Sequence, residues 1–298
     1  MRRGDFLEHV GWTGAGILFT LAETGMFRSA ALAGGYPSGA SGGLSFVQIS
    51  DSHIGFHQAP NEDPSATLKL AVDAINKLPN QPKFVIHTGD VTHLSKPGQF
   101  DDAKQLLGKL KAPLIVIPGE HDVIGDNGKG FMAAFGRPDA KDGWFSFDQG
   151  GAHFVALVNV FNFETMGLLG QPQLDWLKSD LAAQKAETPI VVFGHVPLYA
   201  LYPQWGWTTE DGAKALAMLS RFSSVTVLNG HIHQVIEHSD GHIRFATAAS
   251  TAYPQPAPGA ADKPGPVTLP KDQLLHAIGY RTVQLNGPAA TLAQHALG

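Results

Sequence analysis

Five short runs rich in valine, isoleucine, leucine and phenylalanine, each stopping at a glycine or a polar residue, limit what this chain can fold into. They are residues 44–50, 83–87, 114–117, 190–193 and 225–228. Runs this short and this apolar read as strands buried on both faces, and the segments between them are long enough for helices. Residues 64–78, 97–110, 172–183 and 209–219 carry apolar side chains at three- and four-residue spacing, three of the four with a proline near the first turn. Strands alternating with helices predict an α/β fold. Residues 144–148 and 153–159 flank Gln149-Gly150-Gly151 and read as an antiparallel hairpin, which makes the sheet mixed. Six prolines between Pro254 and Pro270 predict an extended stretch lying on the surface.

The chemistry lies where these strands stop. Asp51-Ser52-His53 follows the first, Gly89-Asp90 the second and Gly119-Glu120-His121-Asp122 the third, while Gly194-His195 and Gly230-His231-Ile232-His233 follow the last two. Ligands of open α/β sheets bind at the carboxyl ends of the strands, so these clusters are expected to face one crevice. In extended chain, residues two apart point the same way, which lets Asp51 with His53, and His231 with His233, grip a common centre. The chain has no cysteine, so a metal here must sit on nitrogen and oxygen ligands. Its net charge of -5 disfavours the neutralisation of nucleic-acid phosphates, and no stable nucleic-acid complex is expected.

Taken in this order, the five clusters resemble the calcineurin-like metallophosphoesterase family, which includes purple acid phosphatases and cyclic-nucleotide phosphodiesterases. The resemblance runs from about Leu44 to Ala252 and takes in Gln173-Leu174-Asp175-Trp176-Leu177. It implies a four-layer α/β/β/α sandwich of two mixed sheets flanked by helices, with a metal site at the strand carboxyl ends. It further implies two metal ions: Asp51, His53 and His233 on one, His195 and His231 on the other, and the Asp90 carboxylate bridging both. Iron, manganese and zinc all suit such ligands. The implied activity is hydrolysis of a small phosphoester by a metal-bridging hydroxide. His121 matches the histidine that assists at the phosphoryl oxygen or leaving group, and Asp122 the carboxylate that orients it.

Two positions depart from the family pattern. Glu120 stands where an asparagine normally ligates the second metal, adding negative charge and suggesting a preference for phosphodiesters over monoesters. A water filling the place of a Glu120 swung away is the competing reading, and a metal-binding scaffold of the same fold without catalysis is the alternative function. His93 stands where purple acid phosphatases have a tyrosine ligand, and reads as a hydrogen-bonded residue off the metals. The aromatic segment 199–207 reads as loop packing, with a pocket wall as the second possibility.

Ahead of the first strand, Arg2-Arg3, Phe6-Leu7, an apolar stretch over 10–21 and Ala31-Leu32-Ala33 resemble a twin-arginine export leader, with Gly4-Asp5 inserted before Phe6. Such a leader predicts a periplasmic or secreted protein, an ordinary N-terminal helix on a cytoplasmic protein being the alternative, and the apolar stretch is too short and interrupted to span a membrane. The chain thus divides into a leader and Gly/Ser linker over 1–43, a catalytic domain over 44–252 and a proline-rich extension over 253–298 that packs on the domain.

Overall fold

The computed structural model describes residues 43–161, 167–287 and 289–298, together with two three-residue strands nearer the start. Those two, β1 (Phe19–Leu21) and β2 (Phe27–Ser29), pair as a separate antiparallel ribbon. The rest of the leader and linker lies outside the described residues. From there the order is β3 (Leu44–Ile49), α1 (Pro64–Asn76), β4 (Val85–His87), α2 (Pro97–Leu107), β5 (Leu114–Val116), α3 (Lys129–Phe135), β6 (Phe145–Gln149) and β7 (Ala152–Ala156). There follow α4 (Gln171–Ala182), β8 (Ile190–Gly194), α5 (Gly212–Leu219), β9 (Val225–Asn229), β10 (Glu237–Asp240), β11 (Ile243–Thr247), α6 (Lys271–Ala277), β12 (Gly279–Asn286) and β13 (Ala289–Ala296).

These strands build two mixed sheets. One has the order β10-β11-β9-β8-β7-β6, parallel from β11 to β7 and antiparallel at both edges; the other has the order β13-β12-β3-β4-β5, parallel from β3 to β5. Alternation along β3 explains how the layers stack. Phe46 packs in one cluster with Phe154, Phe193 and Leu228 of the other sheet, while Val47 and Ile49 pack with Leu68, Val72 and Ile75 of α1 and Leu107 of α2. The outer face of the six-stranded sheet packs likewise on Leu174, Leu177 and Leu181 of α4 and Ala215 and Leu219 of α5. Helix, sheet, sheet and helix form the four layers. Each fully buried phenylalanine in the central layer stabilises the sandwich by about 1.5–3 kcal/mol relative to exposure.

Two features differ from the sequence reading. The helix foreseen from Thr209 begins at Gly212, because Thr209 is engaged elsewhere: its Oγ1 donates to Pro197 O (2.9 Å) and accepts from Asn159 Nδ2 (2.9 Å). Residues beyond 252 are also more than a surface extension. The prolines over 254–270 form neither helix nor strand, but β12 lies antiparallel to β3 and β13 completes that sheet. Arg281 of β12 is buried between the sheets and donates to Gln48 Oε1 (3.2 Å) and to Thr247 O of the opposite sheet (2.8 Å). Gln48 Nε2 in turn donates to Thr88 Oγ1 and Asn229 O, both at 3.1 Å, so a polar cross-tie joins the sheets just below the strand ends. Among the described residues, no helix is long and apolar enough to cross a membrane.

Candidate metal centre

Where the five strands end, the backbone is bent in an unusual way. Among the described residues, seven that are not glycine have positive φ, and five of them are Asp51 (55°), His53 (42°), Asp90 (54°), His231 (69°) and His233 (52°). A left-handed conformation costs a residue with a β carbon roughly 1–3 kcal/mol and persists where its surroundings impose it, chiefly at functional sites. Here neighbouring loops impose it through main-chain hydrogen bonds: Asp51 N to Gly89 O (3.0 Å), His53 N to Asp90 O (2.9 Å) and Gly230 N to His195 O (3.0 Å). Gly89 takes φ of 97°, and a β carbon there would strike the His195 ring.

The side chains gather into two nests. In the first, His53 Nε2 lies 3.1 Å from His233 Nε2, and His233 Nε2 lies 3.4 Å from Asp51 Oδ1. In the second, the two oxygens of Glu120 lie 2.7 Å from His195 Nε2 and 2.7 Å from His231 Nδ1. Asp90 sits between them, its Oδ2 3.5 Å from both His53 Nε2 and His195 Nε2. All seven side chains are buried. Glu120 Oε2, His195 Nε2, His231 Nδ1 and Asp51 Oδ2 have no hydrogen-bond partner. An orphaned buried polar atom is costly, and lone pairs that lie close without being aimed at one another fit a shared cation. Two of the outer nitrogens are already used. His195 Nδ1 donates to Thr88 O and His233 Nδ1 to Tyr253 O, both at 2.6 Å, which turns each Nε2 inward.

Burial and mutual charge set the ionisation of the group. Burial opposes ionisation of Asp51 and Glu120, but the adjoining imidazoles outweigh it: His233 holds Asp51 below the usual carboxylate range, and His231 and His195 hold Glu120 well below it. Burial likewise opposes the charging of His195, yet the Asp90 and Glu120 carboxylates raise it well above an ordinary imidazole. Burial and the neighbouring His121 and His233 push His53 down, which keeps its lone pair available.

A family model described as calcineurin-like phosphoesterase matches residues 44–235. The chain belongs to the calcineurin-like phosphoesterase family. It is 26% identical over 226 residues to glycerophosphodiester phosphodiesterase GpdQ of Enterobacter lignolyticus, covering 70% of this chain and 78% of that protein. It is 30% identical over 220 residues to serine/threonine-protein phosphatase CPPED1 of Mus musculus, covering 63% of this chain and 69% of the relative. The crystal structure of a dimetal phosphatase from Danio rerio has the same fold, with a TM-score of 0.66 at 13% identity over 86% of this chain and 96% of that one.

Around the two nests, the structure gives residues places that spacing does not. Glu120 points into the second nest, so the reading in which it swings away does not describe this conformation. Among the described residues, no hydrogen bond joins the Asp122 carboxylate to the His121 ring. That carboxylate accepts from Val91 N (3.0 Å), Thr92 N (2.7 Å), Thr92 Oγ1 (2.8 Å) and Gly119 N (3.0 Å), tying the loop after β4 to the loop after β5. Burial and the nearby Asp90 raise the Asp122 carboxyl to about 6. His121 is fixed instead by the His93 carbonyl, which accepts from its Nδ1 at 2.7 Å, and by its own N–H donating to Asp90 Oδ1 at 2.8 Å. Burial lowers the His121 imidazole, but Asp90 and Glu120 outweigh this and raise it. Tyr253, which has no motif of its own, stacks on His53 with ring centroids 4.9 Å apart and packs against His233 at 4.7 Å. Gln255 Nε2, from the proline-rich stretch, donates to His231 O at 3.0 Å. In segment 199–207, Tyr202, Trp205 and Trp207 pack edge-to-face on one another, in line with the loop-packing reading.

Proposed function

We propose that this protein is a two-metal phosphoesterase acting on small phosphoesters, with phosphodiesters preferred over phosphomonoesters. The observation that carries the reading is the place of Asp90 Oδ2, 3.5 Å from an imidazole nitrogen of each nest, where a carboxylate could serve two ions at once. Asp51, His53 and His233 would hold one cation, and Glu120, His195 and His231 the other. Two divalent cations held there would supply charge neutralisation at the phosphoryl group and a lowered pKa for a bound water. His121 is mostly buried but not closed off, and with Nδ1 tied to the His93 carbonyl its Nε2 is left to donate to a phosphoryl or leaving-group oxygen. The relatives named phosphodiesterase and phosphatase support the same reaction class.

The diester preference rests on Glu120. Three carboxylates against two divalent cations leave one net positive charge where two carboxylates would leave two. A dianionic monoester therefore gains less than it would beside an asparagine, and a monoanionic diester loses less. The Glu120→Asn variant is expected to raise p-nitrophenyl phosphate turnover relative to bis-p-nitrophenyl phosphate several-fold, with both cations retained. A ratio unchanged from wild type would remove the preference from the account, and a fully metallated wild-type protein inert toward both substrates would leave the non-catalytic scaffold.

A further inference from the structure

The ligand imidazoles with their outer nitrogens fixed by main chain are His195 and His233, each donating Nδ1–H to a carbonyl at 2.6 Å. His53 is arranged differently. Its Nε2 faces the first nest, so its proton belongs on Nδ1, and the atom that meets Nδ1 is the Nδ1 of His93, 3.3 Å away. We propose that His93 is a positioning residue that accepts the His53 Nδ1–H, with its own proton on Nε2, and so aims the His53 lone pair at the first cation. The inference rests on the two-metal reading of His53. The same residue also holds His121. Its carbonyl accepts the His121 Nδ1–H at 2.7 Å, and its ring lies face to face with the His121 ring, centroids 4.9 Å apart at 16°. His93 is itself fixed from both sides, its N–H donating to Ile54 O at 3.0 Å and its ring meeting Phe56 edge-on at 5.2 Å. One side chain thus sets the direction of a metal ligand while its main chain and ring set that of the acid.

The substitutions separate these duties. His93→Ala and His93→Phe keep the main-chain carbonyl and remove the acceptor, the second also keeping a ring of similar bulk. In His93→Asn the amide oxygen takes the place of the lost Nδ1. Metal-free protein, checked for folding by circular dichroism, is titrated with manganese(II) and bound metal is counted by equilibrium dialysis. Wild type is expected to take up two equivalents. His93→Phe, and His93→Ala where it folds, should bind one of the two about 10–100-fold more weakly, the usual effect of losing a partner behind a metal ligand, while His93→Asn recovers most of that loss. Two equivalents bound by His93→Phe as tightly as by wild type would overturn the inference, as would His93→Asn binding no better than His93→Phe. A third equivalent in wild type, lost on substitution, would make His93 a ligand and equally overturn it. A wild-type protein that takes up fewer than two equivalents would instead refute the underlying two-metal reading.

Discussion

Gly119 shows how little room the centre leaves. A β carbon there would run into both the carboxylate and the main-chain nitrogen of Asp90. The Gly119→Ala variant is expected to displace the shared carboxylate, and a misplacement of about 1 Å at such a site costs on the order of 10²-fold in rate. Metal content and turnover should fall together, and a variant with wild-type metal content and rate would contradict this assignment. At this scale much of the site was legible. The seven ligand candidates and His121 stand in local patterns, a strand end followed by a turn or two residues spaced to share a face, and local spacing survives folding. Tyr253 was not legible, because it acts through a main-chain carbonyl and a stacked ring that any aromatic residue offers. The hydrogen bonds of Asp122 were not legible for the same kind of reason: its neighbour in sequence is His121, but its carboxylate accepts chiefly from Val91 and Thr92 of the loop after β4, which only the fold brings near.

Among the elements, the strands feeding the site were legible because they are short, apolar and β-branched. The hairpin of β12 and β13 was missed, although Asn286-Gly287 marks its turn, because the six prolines before it suggested an extended tail. The hairpin of β6 and β7 carries a device of its own. His153 donates from Nδ1 to Asp148 at 2.7 Å and from Nε2 to Asp180 of α4 at 2.8 Å, pinning the helix to the sheet. Burial lowers this imidazole, but the two carboxylates outweigh it and raise it above its ordinary 6.5, while Asp180 is lowered below 3.8 because His153 outweighs its own burial. A raised imidazole contributes stability that is complete below 6.5 and lost as pH climbs through the folded value, and the lowered carboxylate keeps its share throughout that range. His153→Gln should therefore cost about 1–2 kcal/mol in urea unfolding at pH 6, Asp148 being exposed, and less at pH 8.5. Equal losses at the two pH values would contradict the ion-pair assignment.

For the molecule as a whole, the α/β class and the carboxyl-end site follow from the strand and helix pattern, and the four-layer sandwich was implied by the family resemblance. Which strand joins which sheet was not legible, since β3 and β8 are alike in composition and only pairing across the fold separates them. The outcome matters for chemistry. Loops from both sheets meet at one edge, Asp51, Asp90 and Glu120 from one and His195, His231 and His233 from the other, so each nest draws its side chains from both sheets. The cross-tie of Arg281, Gln48, Thr247 and Asn229 holds those two halves in register beneath the site. The direct measurement of this architecture is anomalous diffraction from crystals soaked in manganese(II). It should reveal two peaks roughly 3.5–4 Å apart on either side of the Asp90 carboxylate, one beside His53 and His233 and the other beside Glu120, His195 and His231. A single peak, or peaks remote from Asp90, would contradict it.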